Sequence, residues 1–471
     1  MDSGAELRVE LESAALKKEL RTRDLVFTQI LYIVGLSWIG YAGKLGSSHA
    51  SFWVLALLLF YVPSCIVVIH LNRQMPLEGG LYQWAKLRFG AMAGFMVAWN
   101  IWLFSILFLS VGGLRVADMA SYALGPRGAW IANSKWLIVA LSLAIIGGMM
   151  LVAMYGLALG KWIHNVGGFG LVVLLAAMLY YAVPHWFRGD VKMAPVAFAI
   201  PAVSLFSLNI LGKMCFGALS GFDSVGIFAG ECKDPVRSIG RSVWIAAPLI
   251  GAIFILGTGS VLTFSGPEEI DLIAPTSQVI SAGAATGGGG GLLVAAALVL
   301  IIVILLAQLS LVFSACIRLP MVAGWDHLLP PWFSRLHPLH RTPSGSILFI
   351  GAVTVVLAIA TNLDSGNQEA NQLLDNAGGI AFGLVYLVMF AIPLVRPAER
   401  PNWGVRGAAV CGFLTTLLYV VLSAVPVIDV SNRLLFTAKI VGFLLAANGI
   451  AAGLYWRAER RRAVELGIVI Q

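Results

Sequence analysis

The sequence predicts an all-α integral membrane protein with twelve transmembrane helices, of which helices 1 and 6 are broken. Of its 471 residues 59% are hydrophobic and only 11% are charged, whereas about a quarter of an ordinary soluble domain is charged. Twelve apolar runs approach the roughly 20 residues that a helix needs to cross a bilayer. Helix-breaking residues interrupt two of these runs five segments apart, which is typical of inverted repeats around a substrate site.

The segments form one transporter domain, 24–456, without any stretch typical of a soluble domain. The two interrupted segments predict two inverted repeats at about 24–185 and 203–395, followed by the last two predicted segments within 407–456. The twelve predicted segments are 24–45, 52–71, 91–117, 136–156, 160–182, 203–229, 243–264, 292–321, 346–362, 377–395, 407–425 and 436–456.

The distribution of Lys and Arg predicts the orientation of the chain. With an inner N-terminus, 22 of the 31 basic residues fall on the cytoplasmic side and 8 on the outer side, as the positive-inside rule requires. The tails 1–23 and 457–471 are therefore predicted to be cytoplasmic. No cleavable signal peptide is predicted, because the first 24 residues are polar and charged. The net charge of +8 is explained by the excess of basic residues in the cytoplasmic loops and by their contact with anionic lipid. No nucleic-acid partner is therefore predicted.

The two interrupted segments carry the predicted substrate site. The first interruption spans 35–40 and contributes Ser37, Trp38, Ile39 and Gly40. Unwound backbone at membrane depth is tolerated only where it is buried in protein or lines a watery cavity. The alternative is a kinked helix whose glycines allow close packing.

The second interruption, 218–224, contributes Ser220, Gly221, Phe222 and Asp223. An ionisable residue inside a membrane segment is costly and usually functional. Asp223 is therefore predicted to contact substrate or to take a proton; the alternative is a carboxylate that caps the second half of the helix.

Several polar and aromatic residues near the breaks remain open to two interpretations. Asn100 lies in an apolar run and needs a hydrogen-bond partner, and Phe216 is able to close over a substrate or simply to pack. Glu231 is a candidate inner gate that bridges to Arg318 or Lys233, or else it belongs to a solvated helix end.

The sequence contains no pattern that indicates an enzyme. No group of His, Cys, Asp and Glu has metal-ligand spacing, and no Ser-His-Asp arrangement stands out. Neither a cofactor nor a metal site nor a catalytic residue is predicted. The five cysteines lie in or beside apolar segments, so structural disulfides are not expected.

Three stretches carry a resemblance to a known family. Residues 76–84 read PLEGGLYQW, residues 220–224 read SGFDS with ECKDPVR following at 231–237, and residues 318–330 read RLPMVAGWDHLLP. Together they resemble the amino acid, polyamine and organocation (APC) transporter superfamily. The resemblance implies two inverted five-helix repeats plus two helices, with amino acids or amines carried by ion coupling or exchange.

One position departs from the family's pattern. The helix-one motif G-S-G-I-F falls on residues 36–40, where only Ser37 and Ile39 match and Trp38 replaces a glycine. The resemblance implies that this glycine lets a carboxylate approach the backbone, so the ordinary pose of an α-amino acid is not expected here. A smaller, flatter or differently oriented substrate fits the substitution.

These observations predict a plasma-membrane permease for amino acids or related amines that works by alternating access. Its expected partners are a small-molecule substrate and the lipid bilayer. The alternative is a transporter-like nutrient sensor, although the short tails argue against it. A channel is the third hypothesis, but neither charged pore rings nor a carbonyl filter are visible.

Overall fold

The chain is almost entirely helical. The computed structural model describes residues 17–77, 79–124, 128–199, 202–272, 274–287, 291–325, 328–364, 368–395, 401–424 and 433–465. Within these ranges the β structure is limited to two isolated bridges, Leu20 with Cys232 and Leu336 with Pro343.

The described ranges contain twenty α-helices, numbered in chain order. They are α1 Thr22–Ile33, α2 Ser37–Gly43, α3 His49–Ala56, α4 Val62–Gln74, α5 Leu81–Phe89, α6 Ala91–Ser110, α7 Gly112–Leu124, α8 Ala129–Asn133, α9 Lys135–Tyr155, α10 Leu157–Arg188, α11 Leu205–Gly212, α12 Ser224–Ile227, α13 Pro235–Phe264, α14 Pro275–Gly287, α15 Gly291–Cys316, α16 Arg318–Trp325, α17 Ser344–Asp364, α18 Gln368–Val395, α19 Trp403–Ser423 and α20 Arg433–Glu465.

Shorter and wider turns complete the helical structure. The 3-10 turns are Gly46–Ser48, Ala229–Glu231, Pro267–Glu269 and Pro331–Phe333. Two π-helical turns, Leu57–Tyr61 and Lys213–Ala218, lie within the second and sixth predicted segments.

Ten helices in the described part of the chain are long and apolar enough to cross a membrane. The pair α1 and α2 would make an eleventh span, bent by 53° at its break. The sixth predicted segment contains a shorter apolar helix, Leu205–Ala218, before its own break. The prediction of an all-α, multi-pass membrane protein is therefore confirmed.

The first break lies near the centre of the bundle. Helix α1 packs against α10, α13 and α15, whereas α18 packs against α6 and α19. Each half of the first interrupted segment also contacts one half of the sixth segment. Helix α2 touches the π turn Lys213–Ala218, and α12 touches α1. The packing thus brings together two breaks that lie about 190 positions apart in the chain.

Candidate functional site

The first break spans 34–36, so it overlaps the predicted interruption at 35–36 and ends four residues before it does. Helix α1 ends at Ile33 and α2 begins at Ser37, so Ser37, Trp38, Ile39 and Gly40 belong to the second half-helix. The last carbonyl groups of a helix have no partner within it. Apolar surroundings make such unpaired groups costly.

Gln308 of α15 supplies the missing donor. Its side-chain Nε2 donates to the carbonyl oxygen of Leu31 at 2.9 Å and to that of Val34 at 2.7 Å. Since both carbonyls belong to the end of α1, a single side chain holds the broken end in place.

The second break contains a glycine that its backbone requires. Gly221 has φ of +126°, a conformation that L residues rarely adopt. A Cβ atom added there would lie 2.5 Å from Cδ1 of Tyr32 in α1. The absence of a side chain therefore lets the second break rest directly on the first.

Asp223 lies immediately before α12 and is 1% exposed. The hydroxyl of Tyr386 in α18 donates a hydrogen bond to Asp223 Oδ1, and it accepts one from the Gly221 amide at 2.6 Å. One phenol thus joins the backbone of the break to its carboxylate. A carboxylate in so apolar a setting attracts a cation strongly, because the effective dielectric constant is low.

Aromatic rings surround the second break. Phe222 packs edge-on against Tyr61, with ring centroids 4.5 Å apart. Phe216 packs against Tyr386 at 5.1 Å and against Tyr419 at 4.6 Å. Both phenylalanines are fully buried, so in this conformation they stabilise the packing of the sixth segment.

A buried ion pair closes the far end of the sixth segment. The Arg318 guanidinium donates to Glu231 Oε2 from Nη2 at 2.6 Å and from Nε at 3.0 Å. It also donates to the Ser314 carbonyl and lies 4.7 Å from the centre of the Phe228 ring. Charge pairing, hydrogen bonds and a ring face together compensate the burial of the arginine.

The N-terminal tail covers this ion pair. The main-chain amides of Glu19 and Leu20 donate to the Glu231 carbonyl at 2.9 and 3.0 Å, and the Lys233 amide donates to the Leu20 carbonyl at 3.2 Å. The Lys18 ammonium donates to the Gly230 carbonyl. Residues Glu19 and Leu20 of the tail therefore pair through their main chain with the residues at the end of the sixth segment.

The family assignment follows from the sequence of the whole membrane domain. The family model described as "Amino acid permease" matches residues 24–446. The chain belongs to the amino acid permease family. This result and the transporters described next confirm the resemblance to the APC superfamily.

Similar proteins with curated names are transporters. The permease is 25% identical to an uncharacterised transporter of Legionella pneumophila, over 91% of its own length and 90% of the relative's. It is 26% identical to the low-affinity putrescine importer PlaP of Escherichia coli, over 70% of each chain. It is 23% identical to the probable agmatine/putrescine antiporter AguD of Lactococcus lactis, over 88% and 87% of the two chains.

The structure of the permease places other predicted site residues away from the breaks. Asn100 donates to Asn448 of α20 at 2.7 Å and to the Met96 carbonyl at 2.9 Å, which satisfies this amide within the bundle. The Lys233 side chain is exposed, whereas Glu231 takes Arg318 as its partner.

Sequence reasoning missed two residues of the permease that hold the breaks, Gln308 and Tyr386. The signal for Gln308 is a lone amide in the middle of a strongly apolar segment, the same argument that singled out Asn100. Tyr386 gives no comparable signal, because tyrosine is common in membrane segments as a packing or interfacial residue.

Proposed function

We propose that this permease is a secondary transporter that moves amino acids or related amines across the plasma membrane by alternating access. The observation that carries the proposal is the contact between the two breaks, beside a buried carboxylate. Substrate sites of transporters lie where discontinuous helices meet near the bilayer midplane. PlaP is a putrescine importer and AguD a probable agmatine/putrescine antiporter, which supports a cationic amine as the substrate.

In this proposal the substrate ammonium binds near Asp223, within the site formed by Ser37, Trp38, Ile39 and Gly40 of α2 and the residues of the second break. Ser220, Gly221 and Phe222 provide the wall of the site opposite α2. The inverted repeats 24–185 and 203–395 supply the moving bundle and the scaffold, with 407–456 as additional helices. Both termini lie in the cytoplasm.

The ion pair of Glu231 and Arg318 serves as the inner gate in the proposed cycle, with exposed Lys233 beside it. The pair is buried and covered by the tail, so it blocks access from that side in this conformation. Opening requires the pair to separate, which costs its attraction and its charge-assisted hydrogen bonds. Hydration of the two charged groups offsets part of that cost. Substrate binding at the breaks offsets that cost by shifting the equilibrium between conformations.

Counterflow in proteoliposomes tests the proposal. Vesicles loaded with unlabelled putrescine or arginine should take up the labelled compound against its gradient, and Asp223→Asn should abolish this uptake. Asp190→Asn is the matched control, because Asp190 is a largely exposed carboxylate and should leave uptake unchanged. Binding without counterflow, or full uptake by the Asp223 variant with either compound, would contradict the proposal.

A further inference from the structure

The indole of Trp38 occupies the gap between the two breaks. A Cβ atom added at Gly35 would lie 2.8 Å from Trp38 Cδ1, and one added at Gly217 would lie 2.6 Å from Cη2 at the opposite edge of the indole. The indole therefore occupies the space that a side chain at either glycine would need. Protein interiors are closely packed. A substrate group that enters this gap must therefore fit beside the indole or displace it.

Several main-chain donors at and beside the breaks are already engaged. The amides of six residues each donate within the protein, namely those of Val34, Gly35, Trp38, Ile39, Ser220 and Gly221. A carboxylate buried in this gap needs several such donors to replace its hydration. These six amides do not offer them without first breaking internal hydrogen bonds.

Within the two breaks, 34–36 and 218–224, the ionisable side chain is that of Asp223. Asp223 repels a carboxylate and attracts an ammonium group, and the face of an aromatic ring such as that of Trp38 also favours a cation. Both terms act in the same direction in a site of low dielectric constant.

We infer that the site between the breaks takes an organic cation without a carboxylate, and that Trp38 determines this specificity by filling the space of the missing group. The inference rests on the proposed transport function and narrows its substrate class to amines. A site can reject an unwanted group strongly when that group must be buried without partners.

Pairs of compounds that differ only in an α-carboxylate provide the test. Putrescine is compared with ornithine, and agmatine with arginine, as competitors of labelled substrate in counterflow by the wild-type permease. The amine of each pair should inhibit at a concentration at least about tenfold lower than its amino acid. Equal or better inhibition by the amino acids, with flux still dependent on Asp223, overturns the inference and leaves the proposed function standing.

Substitution of Trp38 identifies the residue responsible. Trp38→Ala should reduce the preference for the amine about tenfold by admitting the amino acid of each pair, whereas Trp38→Phe, which keeps a ring in the gap, should retain most of it. An unchanged preference in Trp38→Ala that elutes as the wild type does overturns the role of Trp38. Absence of flux with all four compounds in the wild type overturns the proposed function and this inference together.

Discussion

The side-chain amide of Gln308 lies 2.7 Å from the carbonyl oxygen of Val34 and 2.9 Å from that of Leu31. Helix α15 thereby takes over the hydrogen bonding that α1 loses where it ends. The unwound stretch of the first segment is thus held by a partner on a neighbouring helix. This contact explains how the backbone is interrupted inside an apolar bundle without leaving those carbonyls unpaired.

Gln308→Met should destabilise the permease by about 1–2 kcal/mol, because two carbonyl groups lose their donor while the side-chain volume is nearly kept. Thermal unfolding of the purified protein in detergent measures the effect. Gln74→Met, at the partly exposed end of α4, is the matched control and should unfold like the wild type. An unchanged melting temperature in Gln308→Met would mean that water or another side chain replaces the amide.

Tyr386→Phe should reduce counterflow strongly while the protein still folds and inserts. The variant removes the hydrogen that Asp223 accepts and the oxygen that the Gly221 amide donates to, at a cost of about 1–3 kcal/mol. Initial rates in proteoliposomes and a melting curve separate the two consequences. Tyr419→Phe, which also packs on Phe216, should keep most of the activity; equal losses in both variants would assign the effect to aromatic packing alone.

The buried pair of Glu231 and Arg318 should show strong coupling in a double-mutant cycle. Removal of one partner leaves an uncompensated buried charge, so Glu231→Gln and Arg318→Met should each cost about 3–5 kcal/mol. The double variant should cost clearly less than the sum of the two, since it buries no lone charge. Unfolding free energies of the four proteins give the coupling, and simple additivity would show that the ions do not stabilise each other.

Deletion of residues 2–20 should expose the end of the sixth segment, because the tail supplies the backbone pairing and the Lys18 contact there. Cys232 is a native reporter, since it is 2% exposed and its thiol donates to the Phe228 carbonyl. Its rate of labelling by a maleimide should rise several-fold, with Cys411 replaced to remove the only half-buried thiol among the described cysteines.

A shorter deletion provides the control for this experiment. Removing residues 2–17 keeps Lys18 and the paired backbone, so Cys232 should remain as protected as in the wild type. Equal labelling of both deletions would show that the paired segment does not cover the thiol. Labelling in detergent avoids any dependence on which side of the vesicle the reagent reaches.

The membrane architecture was predictable because hydropathy reports burial in lipid directly. Apolar runs such as 243–264 correspond to observed helices, here Pro235–Phe264, which ends at the same residue and begins eight residues earlier. The second break at Ser220 and Gly221 was also predictable, since its glycine and its charge are visible in the sequence. The first break lies at 34–36, two to three residues before the predicted centre, because the local sequence does not specify where Gln308 meets the chain.

The sequence alone could not predict which residues form hydrogen bonds and ion pairs with the buried polar side chains. The need of Asn100 for a hydrogen bond was predictable, but Asn448 lies 348 positions away and only the packing of α6 against α20 selects it. The same holds for Asp223 and Tyr386, which are 163 positions apart. Glu231 had two candidate cations, and three-dimensional proximity favours Arg318.

The π turns Leu57–Tyr61 and Lys213–Ala218 touch each other, with the rings of Phe60 and Phe216 5.6 Å apart between them. Such a turn is wound with an additional residue. Rewinding it to regular α geometry would rotate the chain beyond it by about 100°. The Lys213–Ala218 turn lies just before Ser220 and Gly221. A one-residue change in its winding would therefore rotate the second break and change the direction of its side chains, while the flanking helices stay folded.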